Sequence, residues 1–388
     1  MGEVVFGNIS DSDWIEKEHI FDEGEYRIIQ TGNLGNGEYL NKPNNAKYFH
    51  QANFDELKAN EIFPNDILIS RLAAPAGRTI ILPDVGSRMV TAVDVTVVRP
   101  NDNFNSYFFM TTMNSQKILD EVGKEVTGTT HKRISRKNLE NITLSTTSLP
   151  EQTAIGSFFH TLDDIITASQ RKVAGLKQLK AAYLQQMFPQ AGERVPRVRF
   201  SEFTGDWNEV KVGEIAETYS GGTPSVGIKS YYNGAIPFIR SAEINSDKTE
   251  LYLSNDGLKN SSAKMVNVGT ILYALYGATS GEVGRSKIAG AINQAILAIE
   301  PKDNYNFEFI AQWLRRQKES IVSTYLQGGQ GNLSAAIIKE LHISAPLLAE
   351  QTAIGNFFCN LDTQIAAKSE KLEKLKQIKA AYLQKMFI

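Results

Sequence analysis

One stretch of this chain occurs twice. Residues 151–188 read EQTAIGSFFHTLDDIITASQRKVAGLKQLKAAYLQQMF, and residues 350–387 read EQTAIGNFFCNLDTQIAAKSEKLEKLKQIKAAYLQKMF. The register holds without a gap at an offset of 199, so Glu151 faces Glu350, Leu162 faces Leu361 and Tyr183 faces Tyr382. Roughly two thirds of the aligned positions are identical. A period of half the chain is too long for a solenoid. It predicts two copies of one unit, each ending in the same element.

That element reads as a helix. Beyond Asp163 the first copy holds only Gly175 as a breaker, and beyond Asp362 the second holds none. Ala, Leu, Lys, Gln and Glu dominate. Apolar residues step by three and four through Leu162, Ile166, Val173, Leu176 and Tyr183, and through Leu361, Ile365, Leu372, Leu375 and Tyr382. Lys180 and Lys379 break a strict heptad, so the pattern predicts a helix pair rather than a long regular coiled coil. One such stripe alone would mean ordinary core packing. Two near-identical stripes predict packing of one on the other. From Leu162 to Met187 the rod is roughly 40 Å long at about 1.5 Å per residue.

The chain has 388 residues, enough for two or more domains, with globular hydrophobic (42%) and charged (22%) fractions. A net charge of −2 shows no overall basicity, which leaves nucleic-acid binding to local basic faces. A single cysteine, Cys359, excludes an intramolecular disulfide framework and any cysteine-only metal cluster. Its counterpart is His160, so its thiol is expected to serve packing rather than chemistry. No signal peptide opens the chain and no apolar run reaches membrane-spanning length, so a cytoplasmic location is expected.

Along residues 1–150, alternation and turn residues predict strands at 26–31, 66–70, 79–82 and 93–98, a helix from Phe104 to Val122, and a further strand from Leu139 to Leu144. Between the last two lies a Gly/Thr loop with a basic cluster, 126–137. Residues 189–206, with two prolines, two glycines and three arginines, read as a linker. Residues 207–349 repeat the first plan at lower identity: 236–244 parallels 26–34, 269–274 parallels 65–70, 295–301 parallels 96–100, and 307–325 is the matching helix. The helices stayed alike while the domains diverged.

The combination of EQTAIG…FF…LD and KAAYLQ-x-MF in both repeats, Pro196-Arg-Val-Arg-Phe…Trp207, Gly221-Gly-Thr-Pro224, Ile236-Pro-Phe238 and the Gly-Gln-Gly-Asn-Leu-Ser loop resembles the specificity (S) subunits of type I restriction–modification enzymes. The resemblance covers essentially the whole chain. It implies an α+β protein with two mixed α/β target-recognition domains in pseudo-twofold arrangement, separated by two long antiparallel helices from the repeated segment. The corresponding boundaries are 1–150 and 207–349 for the recognition domains, 151–188 and 350–388 for the spacer helices, and 189–206 for the linker. It implies no catalysis and no cofactor in this chain. Each domain would read half of a bipartite, asymmetric target in double-stranded DNA. The helices would set the spacer and dock two methyltransferase (M) subunits carrying S-adenosylmethionine for adenine-N6 methylation, with two restriction (R) subunits as further partners. Two-fold-related readers fall about 34–36 Å apart on DNA, which suits a rod of that length. The first unit lacks a Trp…GGTP opening, so its amino-terminal edge is either built differently or completed by the carboxy-terminal repeat.

No catalytic signature holds. The segment Gly281–Ser286 lacks P-loop spacing and its Lys, and the five histidines include no pair at metal-ligand spacing. Base readout needs amide, hydroxyl and guanidinium groups on loops, and phosphate contacts need cations and free N–H groups. The first unit offers Thr129, Thr130, His131, Lys132, Arg133, Arg136 and Lys137, whose bland alternative is a solvated basic surface. It also offers Arg71 and Arg78 about a tight loop, whose alternative is a structural ion pair. The second offers Gly222 and Thr223 in a turn with free N–H groups, Arg240, Tyr276, Thr279, Ser280, Arg285, Gln327, Gln330 and Asn332. A different class stays open: a two-domain adaptor whose helices dock proteins. Near-neutral charge favours the adaptor; the basic loops and divergent readers favour DNA.

Overall fold

The computed structural model describes all residues except 6–7, 14, 73–74, 130–131, 327–331 and 388. The chain divides into two compact units, Met1–Gln170 with Glu370–Ile388, and Arg171–Ser369.

The first unit contains β1 (Ile9–Asp11), β2 (Tyr26–Ile29), β3 (Tyr48–Phe49), α1 (Gln51–Leu57), β4 (Glu61–Ile62), β5 (Ile67–Ser70), β6 (Thr79–Ile81), β7 (Arg88–Thr91), β8 (Val95–Val98), α2 (Ser106–Met113), α3 (Gln116–Lys124), α4 (Arg136–Asn141) and the start of α5 (Leu149–Gln186). One sheet has the order β1-β8-β5-β6 and the other β3-β2-β7-β4, with β2 and β7 parallel. Ile67, Ile69 and Val98 of the first sheet are buried against Phe109, Met113, Ile118 and Val122 of the helices.

The second unit contains β9 (Asn208–Lys211), α6 (Val212–Ile215), β10 (Ala216–Ser220), β11 (Tyr232–Ile239), β12 (Leu251–Leu253), α7 (Asn255–Lys259), β13 (Lys264–Val266), β14 (Ile271–Ala274), β15 (Val283–Arg285), β16 (Gly290–Ile292), β17 (Ile296–Pro301), α8 (Phe307–Leu326), α9 (Ala335–Lys339), β18 (His342–Ala345) and the start of α10 (Leu348–Met386). Its sheets run β10-β17-β14-β15 and β12-β11-β16-β13, with β11 and β16 parallel. The two units are therefore copies of one α+β plan. The second adds an antiparallel ribbon, β9 with β18.

Two predicted elements differ. The helix expected from Phe104 to Val122 is broken into α2 and α3. Asn114 there turns its side chain to the backbone of Thr79, accepting from N at 3.0 Å and donating to O at 2.7 Å, and Ser115 caps α3. The strand expected at 139–144 is absent. Ser135 accepts from Asn138 N and starts α4, so this N-cap prevails over the apolar alternation. Ser334 caps α9 in the same way. Cys359 is exposed, so its thiol does not serve packing as expected.

The repeated EQTAIG motif acts as a clamp. Gln152 accepts from Asn105 N and donates to Thr147 O; Gln351 accepts from Asn306 N and donates to Pro346 O. Each asparagine then caps the next helix, Asn105 accepting from Tyr107 N and Phe108 N, and Asn306 from Phe309 N. Gly156 and Gly355 leave room for those caps, since a Cβ at either would overlap the asparagine Oδ1. Asn105→Ala and Asn306→Ala should each cost about 1 kcal/mol in urea unfolding, as lost caps do.

The long helices pair antiparallel within each unit. In the first, Lys379 meets Asp163 at 2.5 Å and Phe158 meets Tyr382 edge-on at 5.1 Å. In the second, Lys180 meets Asp362 at 2.6 Å and Tyr183 meets Phe357 at 5.0 Å. The two lysines that break the heptad thus make matched ion pairs. Tyr107 donates to Asp163, and its hydroxyl is raised above the ordinary phenol range by burial and then by that carboxylate. Leu162, Ile166, Val173 and Leu361 are buried; Leu176, Tyr183, Ile365, Leu372 and Leu375 are half-buried; Tyr382 is exposed.

Phe387, near the end of the second repeat, packs on Phe108 and Phe159 of the first unit. Its twin Phe188 packs on Phe309 and Phe358 of the second.

Candidate nucleic-acid interface

In the first unit, β5 ends at Ser70 and feeds the loop that holds Arg71 and Arg78. That loop lies beside the basic segment. Leu72 bridges Arg133, Arg133 bridges Thr127, and Ile134 N donates to Arg71 O at 3.0 Å. The second unit repeats the joint, with Leu333 N donating to Leu275 O at 3.1 Å. Ile134 and Leu333, each just ahead of a capping serine, thus sit at the ends of β5 and β14.

The arginines in the first unit are largely engaged. Arg71 Nη1 lies 3.4 Å from Asp11 Oδ1 and Arg136 Nε lies 3.2 Å from Asp11 Oδ2. Arg136 also faces Glu140 at 3.5 Å, and Arg133 faces Asp94 at 3.3 Å. Asp94 is buried with its backbone in the left-handed region (φ 72°). Arg78 donates to Pro75 O, and burial lowers its pKa below the ordinary guanidinium value. Thr129, Lys132 and Lys137 are exposed. Among the described residues, no carboxylate pairs with Lys132 or Lys137. Thr130 and His131 lie outside the described residues.

In the second unit, Arg240 is held by Glu243 at 3.0 Å and Glu250 at 2.6 Å, and these two carboxylates raise its pKa. Arg285 donates to Gly269 O and pairs with Glu308, which also holds Arg315. Ser280 is buried and its hydroxyl donates to Gly277 O at 2.8 Å; Thr279 lies 3.4 Å from Tyr276 O. The Gly222 N–H expected to be free donates to Ile292 O at 3.3 Å, so it is not available to a phosphate. The glycines here serve close packing: a Cβ at Gly221 would overlap Ile292 O, and one at Gly222 would overlap Ser262. Thr223 donates to Gln294 at 2.6 Å, and Asn332 is exposed. Gln327 and Gln330 lie outside the described residues.

Sequence reasoning found the cations and missed their partners. Two partners carry a local signal, Glu243 three residues after Arg240 and Glu140 four after Arg136. Asp11, Asp94 and Glu308 come from β1, the turn before β8 and α8, and carry none. Among the described residues, no cluster of His, Cys, Asp and Glu could hold a metal, and no helix is long and apolar enough to cross a membrane.

The chain matches the family profile of the type I restriction modification DNA specificity domain over residues 5–178 and again over 204–377. It is 28% identical over 191 residues to the type I restriction enzyme MjaIX specificity subunit of Methanocaldococcus jannaschii, covering 47% of this chain and 44% of that one. It is 26% identical over 185 residues to the EcoR124I/EcoR124II specificity subunit of Escherichia coli, covering 45% of each. The match thus spans less than half the length of these curated relatives. The fold is similar to that of a type I restriction–modification S subunit from M. genitalium (TM-score 0.67, 16% identity, 98% of this chain and 93% of that chain). It is also similar to a chain solved in work on complex assembly of the type I R-M system (TM-score 0.53, 16% identity, 93% and 91%).

Proposed function

From the premise that this chain belongs to the family of type I restriction–modification DNA specificity domains, which it carries twice, we propose that it is the non-catalytic specificity subunit of such an enzyme. Each recognition domain, 1–150 and 207–349, reads one half of a bipartite asymmetric target in double-stranded DNA. The observation that carries this reading is the shared sheet order of the two units combined with unlike loops at the same joint. A common frame presents two different sets of side chains, which suits two different half-sites.

In the first unit Thr129, Lys132, Arg133, Arg136 and Lys137 approach the DNA, with Arg71 and Arg78 behind them. Lys132 and Lys137 take phosphates. Their replacement by Ala together should weaken binding evenly across sequences and lower the salt slope by about 2. In the second unit Tyr276, Thr279 and Asn332 are the nearest candidates. Arg285 and Ser280 hold the loop in shape.

The repeat helices, 151–188 and 350–388, joined by the linker 189–206, set the spacer and dock two methyltransferase subunits carrying S-adenosylmethionine. Exposed Ile165, Leu179 and Ile378 on those helices support a protein-docking role. Restriction subunits join through the methyltransferase, and the complex works in the cytoplasm. The test is sequencing for N6-methyladenine in DNA from cells expressing this chain with its methyltransferase subunit. A bipartite motif that disappears when this chain is omitted supports the reading. Co-assembly with no methylated motif returns the chain to the adaptor class.

A further inference from the structure

β14 leads into Leu275, and that residue joins two turns of the second unit. Its N–H donates to Ala295 O at 2.8 Å, and its carbonyl accepts from Leu333 N at 3.1 Å. Gln294 and Asn332 each stand one residue before a bonded partner, and both are exposed. The first unit makes the same joint, with Arg71 N donating to Asp94 O and Ile134 N to Arg71 O. Ala295 and Asn332 are therefore the twins of Asp94 and Arg133. In the first unit those two positions close on each other as an ion pair at 3.3 Å. In the second neither position is charged, and the carboxamides of Asn332 and Gln294 border the joint instead.

Gln294 is held in place before any ligand arrives. Its Oε1 accepts from Thr223 Oγ1 at 2.6 Å. Thr223 is itself fixed on both sides. Before it, Gly222 N donates to Ile292 O, and Gly221 and Gly222 lie too close to Ile292 and Ser262 for any side chain. After it, Pro224 O accepts from the Tyr232 hydroxyl at 2.7 Å. The turn that carries Gln294 is fixed as well, since Asn293 Oδ1 accepts from Ala295 N at 3.1 Å. An exposed glutamine ordinarily gives up much rotamer freedom when it binds. Here the Thr223 hydroxyl has already taken part of that freedom. Among the described residues the Gln294 Nε2 has no hydrogen-bond partner, and Oε1 keeps one of its two lone pairs.

We propose that Gln294, set by Thr223, is a base-reading residue of the second recognition domain and that it reads an adenine. The proposal rests on the chain being a DNA specificity subunit. A carboxamide matches the major-groove edge of adenine, with Nε2 donating to N7 and Oε1 accepting from the N6 amino group. The Thr223 hydroxyl uses the other lone pair of Oε1 and holds the amide in one sense. Thr223 is thus a positioning residue and touches no base.

The test uses the full chain assembled with its methyltransferase subunit. Its methylated motif is read by sequencing, and the complex is then titrated with duplexes that carry each base pair in turn at each motif position. Gln294→Ala should relax one A·T position in one half-site, lowering the preference there about tenfold. The other half-site and the melting temperature should not change. Thr223→Val should relax the same position, and Thr223→Ser, which keeps the hydroxyl, should not. Unchanged preference at every position with Gln294→Ala, relaxation at a G·C pair, or a loss of affinity even across sequences overturns the proposal and leaves the specificity subunit standing. Equal relaxation by Thr223→Ser and Thr223→Val overturns the part assigned to Thr223. A parent complex with no motif overturns the specificity subunit itself, and this proposal with it.

Discussion

Arg199→Ala should destabilise the second unit by about 3–5 kcal/mol, the cost of removing one partner from a buried ion pair. The Glu350 side chain is 3% exposed and that of Arg199 is 17% exposed, so water cannot replace the lost guanidinium. The arginine also ties down its own linker, donating to Gly205 O at 2.7 Å and Thr204 O at 3.1 Å. Its fork engages both carboxylate oxygens at once, a geometry that lysine does not reproduce. Arg199→Lys should therefore recover only part of the loss. Glu151→Ala, at the matching but exposed position, should change stability by no more than about 0.5 kcal/mol. Urea unfolding of the full chain checks all three. A loss below about 1 kcal/mol for Arg199→Ala would mean that the linker is held by Trp207 and β9 alone.

The contrast between Glu350 and Glu151 marks where sequence reading stops. Both sit in the same EQTAIG motif, so the repeat, the helix and its pairing with a second helix are legible from spacing, whereas the antiparallel sense comes from the family resemblance and the ion pairs Lys180–Asp362 and Lys379–Asp163 only from the structure. What the first two letters of the motif do is not legible. Glu350 needs Arg199, 151 residues away in sequence, and Gln152 needs the backbone of Asn105. The two misread elements fail for related reasons. Residues 104–122 read as one helix, but the contact of Asn114 with Thr79 and the Ser115 cap break it there. Residues 139–144 alternate like a strand, but Ser135 caps a helix first. At the candidate interface, residue type located Arg71, Arg133 and Arg136, while Asp11 and Asp94, which neutralise them, arrive from β1 and the turn before β8. A cation count therefore overstates the positive field of this surface, and exposed Lys132 and Lys137 become the better phosphate candidates.

Trp207→Ala should cost a further 3–5 kcal/mol, about what deleting a fully buried aromatic costs elsewhere. The indole is 4% exposed and lies in the largest apolar cluster of the second unit with Phe188, Phe309 and Phe358. Its loss leaves a cavity flanked by rings that cannot collapse, because Phe188 is fixed by the end of α5 and Phe309 by α8. The indole Nε1 is buried and has no hydrogen-bond partner among the described residues, which sets a second expectation. Trp207→Phe removes that unsatisfied donor along with some volume, so it should cost much less than the alanine change. Calorimetry of the three chains separates the terms. If Phe and Ala cost the same, the Nε1–H is bonded to water and the indole contributes through that bond. If Phe recovers most of the stability, packing dominates the contribution of the indole.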